Sequence, residues 1–318
     1  MPLMKALRFA HYGPPSVMRL EQLDVPMPGP GESLVRVHAA AINPSDVKNV
    51  AGAFGTQLPR TPGRDYAGTV VAGEGEGLEI WGSGAGFGVQ RDGSHAEYVL
   101  LPSEALAQKP RQLSMAQAAS VGVPFVVAWD GLIRAAEVRP GETLLITGAA
   151  GAVGRAVTQI AHWRAARVIG VDIADHPTDA DIMINTNRED LVTAVQAATD
   201  GKGADLAFDT VGGALFEKVL KSLRPLGRQV AIASVPERRV SFDLIDFYHQ
   251  RLRLIGVDSL RLDGPNIAAI MNALKPGFES GALKPFPVKE WSLADAAHAY
   301  TVVERGAGPV KQVLIPGP

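Results

Sequence analysis

The residues of this chain best suited to chemistry lie between Leu144 and Gly154, a stretch reading LLITGAAGAVG. Glycines at 148, 151 and 154 let a phosphate-bearing ligand approach bare backbone N–H groups at a helix N-terminus, where unpaired donors and the helix dipole favour negative charge. A side chain at Gly151 would block that approach, and Gly154 lets the helix pack closely. The pattern departs from GxGxxG at its first position, where Ala149 follows Gly148. Asp172 stands 18 residues after Gly154, where a carboxylate reading an adenosine ribose belongs. These residues together predict a dinucleotide site: Ala150, Gly151, Ala152, Val153 and Gly154 around the pyrophosphate, and Asp172 at the ribose.

Such a site needs a strand before the turn, a helix after it and a second strand ending in the acid. Leu144 to Thr147 is an apolar run of strand length. Residues 155–163 carry Val157, Ile160 and Ala161 at helical spacing, and Arg167 to Val171 reads as the second strand. Further alternation follows: strand 181–184, helix 188–199, strand 204–208, helix 214–223, strand 228–233 and strand 252–257. This predicts a parallel, doubly wound α/β sheet. Only nine residues, Asp172 to Ala180, connect the second strand to the third, with Pro177 among them. A parallel crossover usually takes a dozen or more, so its helix is expected to be reduced or absent.

Residues 1–120 read differently. Strands at 32–40, 66–71 and 96–101 are separated by Pro and Gly clusters, and 73–88, with seven glycines, reads as a flexible loop. Helices are expected at 114–120 and 125–136. After Gly264 come a helix over 266–274, a strand at 286–288, a helix over 293–304 and a last strand at 311–315, a tail expected to return to the first domain. The predicted organisation is therefore 1–121, 122–262 and 263–318, with the last segment rejoining the first.

Composition narrows the function. The chain has 318 residues, a net charge of −2 and 46% hydrophobic residues, so no basic surface argues for nucleic acid or an anionic membrane. With no cysteine, disulfides, thiolate nucleophiles and Cys-ligated metals are excluded. The N-terminal residues lack the apolar core of a signal peptide, and no apolar run was found near the ~20 residues of a membrane helix. A cytoplasmic enzyme is the expectation.

Six motifs in order then resemble the medium-chain dehydrogenase/reductase superfamily, and most of all its zinc-independent quinone oxidoreductase branch. They are Ala41 to Asp46 (AINPSD), Pro62 to Gly68 (PGRDYAG), Gly93 to Tyr98 (GSHAEY), the Gly148–Gly154 turn, Phe208 to Gly213 (FDTVGG) and Val310 to Leu314 (VKQVL). The resemblance implies a GroES-like, mostly β catalytic domain interrupted by a Rossmann domain, an active site in the cleft between them, and a homodimer. Zinc members carry a cysteine where this chain has Asn43 and a histidine where it has Arg64, and neither replacement suits Zn²⁺. An acceptor needing no Lewis acid is therefore expected: a quinone or an α,β-unsaturated carbonyl, reduced by hydride from NAD(P)H. The alternatives are an alcohol or aldehyde oxidoreductase, and a non-catalytic NAD(P)H-binding sensor.

By the same resemblance Asn43 and Asp46 face the nicotinamide, with an Asx turn and a helix cap as their structural alternatives. Phe54 stands where enoyl-thioester reductases carry a tyrosine proton donor, and it cannot donate. Arg64 and Asp65 are candidates for an ion pair. His95 is a candidate proton donor, with a polar surface residue as the alternative. Thr210, Val211, Gly212, Ala233, Ser234, Asp258, Ser259 and Lys311 are implied as further cofactor contacts. Between Asp172 and Asn187 there are four acids (172, 175, 179 and 181) and no Lys or Arg, which favours NAD(H) over NADP(H). Arg155 or Arg188 would be the route to a 2′-phosphate.

Overall fold

A computed structural model describes residues 2–306 and 308–317. The chain divides into two compact units, one running to Val126 and resuming at Ser259, the other spanning Val127–Asp258.

The first unit is mostly β. Strands β1 (Leu3–Arg8) and β2 (Arg19–Asp24) form an antiparallel ribbon. Strand β3 (Glu32–Ala41) leads into helix α1 (Pro44–Val50), followed by β4 (Tyr66–Gly73), β5 (Glu79–Gly82) and β6 (Tyr98–Pro102). Inward residues of β3, such as Val35 and Val37, pack with Tyr66, Ile80, Phe87 and Leu101 in a dry core. The glycine-rich 73–88 segment is thus not a free loop. It contains β5, paired with β4, and it buries Trp81 and Phe87 completely. The glycines bound a four-residue strand too short to show a period.

Helix α2 (Met115–Trp129) opens on a capping box, with the Ser114 N–H donating to Gln117 Oε1 and the Gln117 N–H to Ser114 Oγ. It merges the two helices expected at 114–120 and 125–136 across a kink at Gly122, and a π turn over 130–135 ends it. The helical run Met115–Ala135 is long and apolar enough to cross a bilayer, contrary to the sequence reading, but most of it is buried. Its apolar surface is used in the core.

The second unit is the parallel sheet. In chain order come β7 (Thr143–Thr147), α3 (Ala152–Trp163), β8 (Arg167–Asp172), β9 (Ile182–Asn185), α4 (Leu191–Ala198), β10 (Ala204–Asp209), α5 (Phe216–Lys221), β11 (Leu223–Ala231), α6 (Leu244–His249) and β12 (Arg253–Gly256). The spatial order is β12-β11-β10-β7-β8-β9, all parallel. The winding reverses between β7 and β10, which is where such sheets place a ligand, at the strands' carboxyl ends. The β8–β9 connection contains no helix, as its length required.

The chain then returns to the first unit with α7 (Gly264–Glu279), β13 (Val288–Ser292), α8 (Ala296–Glu304) and β14 (Lys311–Ile315). Strand β14 pairs antiparallel with the end of β3, Leu314 opposite Ala40 and Val313 opposite Ala41.

Candidate functional site

In the second unit the glycine turn is built as tightly as its residues allow. Gly148 has φ +63°, a left-handed conformation that disfavours any side chain, and a Cβ there would strike Thr210 Oγ1. A Cβ on Gly154 would strike the Gly148 carbonyl and come within 2.7 Å of Ala149 Cα, so the first turn of α3 packs directly on the loop. Gly151 is the residue before α3, with extended backbone. Ala152 and Val153 form the first helical turn, where N–H groups have no intrahelical partner.

Two carboxylates hold this end of the sheet. Asp172, at the end of β8, accepts the Ala150 N–H at 3.0 Å and the Ile173 N–H at 2.8 Å. Four acceptor positions on a carboxylate leave capacity for ribose hydroxyls. Asp209, at the end of β10, is fully buried and accepts from Thr147 Oγ1 (2.6 Å), the Val211 and Gly212 N–H groups and Gln229 Nε2. Thr210 closes the link by donating Oγ1–H to the Thr147 carbonyl at 2.7 Å. The carboxyl ends of the two strands at the reversal are therefore tied side chain to side chain. Sequence reading missed Asp209 and Thr147, although a threonine and an aspartate ending adjacent strands were the available signal.

Thr210, Val211 and Gly212 come together with Ala233 and Ser234. The Val235 N–H donates to the Val211 carbonyl, the Gly213 N–H to Ser234 Oγ, and a Cβ on Gly212 would run into Ala233 and Ser234. The arginines considered for a 2′-phosphate are otherwise engaged. Arg155 donates to the Ala150 and Pro177 carbonyls, and Arg188 pairs with Asp175 at 2.6 Å. Asp258 follows β12 and is exposed.

The first unit holds a buried polar array. Asn43 precedes α1, and its N–H donates to Asp46 Oδ2 at 2.8 Å. Its side chain is committed at both ends: Nδ2 donates to Asp65 Oδ2 (2.8 Å), and Oδ1 accepts from Lys311 Nζ (2.6 Å). Lys311 also reaches the Ile42 carbonyl, and burial pushes its pKa down. Asp65 further accepts from Ser83 Oγ (2.6 Å) and from the Val123 N–H (2.9 Å). The last bond is available because α2 breaks at Gly122, where a Cβ would overlap the Asp65 carboxylate. Burial, then the nearby Asp65 charge, raises the Asp46 pKa to about 7.

The expected Arg64–Asp65 ion pair does not form among the described residues. Asp65 turns inward to the three partners just given, while Arg64 donates to Ser259 Oγ (3.1 Å) and, at 3.5 Å, to Ser45 Oγ. Successive residues in an extended segment point to opposite faces. His95 is fully buried rather than on the surface, lodged against Gly63. Its Nε2–H donates to the Ala41 carbonyl (3.3 Å), and Nδ1 accepts from Tyr300 Oη (2.8 Å), a tautomer fixed by those partners. Burial lowers its pKa to about 4, so the imidazole is neutral at pH 7. Phe54 is half-buried. Among the described residues, no three His, Cys, Asp or Glu side chains are grouped as a metal would require. Around Asn43 stand the carboxylates of Asp46 and Asp65 and the ammonium of Lys311.

Comparisons with known proteins agree with this geometry. Residues 29–111 match the alcohol dehydrogenase GroES-like domain, and residues 152–273 the zinc-binding dehydrogenase family. A zinc-type alcohol dehydrogenase-like protein of Schizosaccharomyces pombe is 36% identical over 92% of this chain and 91% of its own. The human quinone oxidoreductase is 27% identical over 98% of both chains. A crystal structure of an NAD-dependent alcohol dehydrogenase superimposes with a TM-score of 0.88 at 30% identity, covering 99% of this chain and all of the other. The two units are thus those of a dehydrogenase, a GroES-like domain and a Rossmann-type parallel sheet. The chain belongs to the medium-chain dehydrogenase/reductase superfamily, in its quinone oxidoreductase-like branch, and is an NAD(P)H-dependent oxidoreductase.

Proposed function

We propose that this oxidoreductase works without zinc, uses NAD(H) in preference to NADP(H), and reduces quinones or α,β-unsaturated carbonyls. The observation that carries the reading is the closed glycine turn tied to Asp172; in the first unit, the commitment of the Asn43 amide to Asp65 and Lys311 supports it. The bound nicotinamide supplies hydride. The N–H groups of Ala152 to Gly154 would bind the pyrophosphate, with Ala150 and Gly151, whose own N–H groups are held by Asp172 and the Gly148 carbonyl, shaping the turn around it; Asp172 would accept from the ribose hydroxyls and repel a 2′-phosphate. Engagement of Arg155 and Arg188 elsewhere supports the same preference. Thr210 to Gly212, Ala233, Ser234 and Asp258 are proposed as further cofactor contacts.

On the acceptor side, Asp46 is proposed to hold the proton that reduction requires. Its carboxyl is bonded to one backbone N–H and titrates near neutrality, whereas both His95 nitrogens are spent and its pKa is far lower. Asn43, fixed by Asp65 and Lys311, is proposed as an oriented amide beside it. A homodimer is proposed through β12, an end strand of the parallel sheet with Leu254 exposed, next to α6 with Leu244, Ile245 and Tyr248 exposed.

The test is oxidation of NADH and NADPH across quinones, enones, alcohols and aldehydes, beside equilibrium binding of both cofactors to wild type and Asp172→Ala. Turnover of quinones or enones, with NADH bound at least about tenfold tighter and that preference lost in Asp172→Ala, is the expected outcome. Turnover confined to alcohols or aldehydes would replace the acceptor reading. Binding without turnover would make the chain a sensor.

A further inference from the structure

Four arginines bury an Nε–H that has no acceptor among the described residues: Arg8, Arg60, Arg64 and Arg164. Three are compensated otherwise. Arg8 and Arg60 pair with Asp92 at 3.0 and 3.6 Å, and Arg164 stacks on the rings of Trp129 and Trp163. Among the described residues Arg64 has neither a carboxylate within ion-pair distance nor an aromatic ring against it, yet it is only 3% exposed. Arg228 shows what a settled buried arginine looks like in this chain: it holds both oxygens of Glu142 and three carbonyls. A guanidinium has five N–H donors, and Arg64 spends at most two, on Ser45 Oγ and Ser259 Oγ. A buried, unpaired charge is costly, and a protein keeps one where a ligand completes it.

The two serines extend the same character. Each accepts from Arg64, and neither hydroxyl donates to a protein acceptor among the described residues. Ser45 is half-buried, in the first turn of α1, and Ser259 is buried. A cation and two hydroxyls therefore converge; Asp46 acts on Arg64 only through space, and no carboxylate among the described residues pairs with it directly.

Resting on the reductase reading above, we propose that Arg64, Ser45 and Ser259 form the oxyanion cradle for the acceptor, binding the carbonyl oxygen of an enone or quinone. When hydride leaves the dihydronicotinamide, its C–H bond breaks and a C–H bond forms at the acceptor's electron-poor atom. The acceptor gains two electrons and the nicotinamide becomes oxidised. For an enone the C=C π pair shifts and the carbonyl π pair moves onto oxygen as an enolate; for a quinone, addition at a ring carbon likewise gives an enolate, that of the keto tautomer, which becomes the hydroquinone when the added carbon's proton is lost and the oxygens are protonated. The charge arrives at the oxygen that Arg64 holds, and a proton from Asp46 or water then neutralises the product. Donors aimed at charge that develops in the transition state accelerate reaction more than they tighten binding.

The test compares wild type, Arg64→Met, Arg64→Lys and Ser259→Ala by two readouts. One is steady-state reduction of a quinone and an enone with NAD(P)H saturating. The other needs no turnover: absorbance titration of bound 4-nitrophenol, a phenol whose anion mimics the enolate oxygen. The cradle predicts that wild type binds the phenolate and lowers the apparent pKa of bound phenol. Arg64→Met loses that shift and about 10²–10³-fold in kcat, with cofactor affinity unchanged. Arg64→Lys, keeping the charge without the fork, and Ser259→Ala fall between. Guanidinium chloride at non-denaturing concentration restores part of the activity of Arg64→Met. If wild type turns over while every Arg64 variant stays within threefold and the phenol pKa is unshifted, the cradle is wrong and the reductase reading stands. If wild type reduces nothing but binds phenolate through Arg64, the reductase reading fails and an oxyanion site remains. If neither signal appears, both fail. Should Arg64→Met not fold, Arg64→Lys and Ser259→Ala carry the same decision.

Discussion

At the scale of single residues, two buried titratable groups pull stability in opposite directions with pH. His95 has a folded pKa of about 4, below its unfolded value of 6.5. The unfolded chain takes up that proton first, so the His95 contribution is present above 6.5 and is lost as pH falls towards 4. Asp46 has a folded pKa of about 7, above 3.8. Here the folded chain holds the extra proton, so the contribution is present at low pH and is lost as pH rises through 7. At about 1.36 kcal/mol per tenfold change in proton affinity, the contributions are on the order of 3 kcal/mol for His95 and about 4 kcal/mol for Asp46, and the two largely offset between pH 4 and 6.5. Replacing Asp46 with Asn should unmask the histidine. Urea unfolding of Asp46→Asn should show stability declining more steeply on acidification than in wild type. Parallel curves would mean that Asp46 is ionised in the fold.

Among elements, α2 carries the least expected relationship. Its break at Gly122 admits the Asp65 carboxylate to the Val123 N–H, and Asp65 in turn holds Asn43 and Ser83. Gly122→Ala would place a methyl group on that carboxylate. The variant should lose about 3 kcal/mol or more, because three buried hydrogen bonds depend on one oxygen pair. A chemical-denaturation midpoint within error of wild type would disprove the tie. This array was not legible in sequence. Asn43, Asp65 and Lys311 are separated by 22 and 246 residues, and no local rule brings such positions together. The glycine turn was legible because its constraints are local: a positive φ at 148 and contact within the loop at 154. Strand β2 left no trace for a different reason. Nearly every residue from Arg19 to Asp24 faces solvent, so no apolar period exists to be read, and β5 was too short to show one.

For the whole molecule, the alternation of strands and helices after Val121 anticipated the parallel sheet because its central strands, β7, β8 and β10, are buried and apolar. The spatial order that places the reversal between β7 and β10 had to come from the structure. That order also leaves β12 at one end. If dimers form there, Leu254→Arg combined with Tyr248→Glu should shift sedimentation from dimer to monomer while leaving cofactor affinity within about threefold, since both side chains are exposed and lie outside the glycine turn. An unchanged sedimentation coefficient would place any dimer contact elsewhere.

The pairing of β14 with β3 has a consequence for the chain as it is made. One edge of β3 is shared: β6 covers Glu32 to Arg36, and β14 covers Ala40 and Ala41. The second half of that edge waits some 270 residues for its partner, roughly 14 to 54 s at ribosomal rates of about 5–20 residues per second. Val127–Asp258, contiguous in sequence, emerges whole in the meantime. The nascent chain therefore carries a finished nucleotide-binding unit beside a sheet with an open edge. A ribosome stalled before Lys311 would hold a chain that binds cofactor yet remains prone to pairing with its neighbours on the polysome.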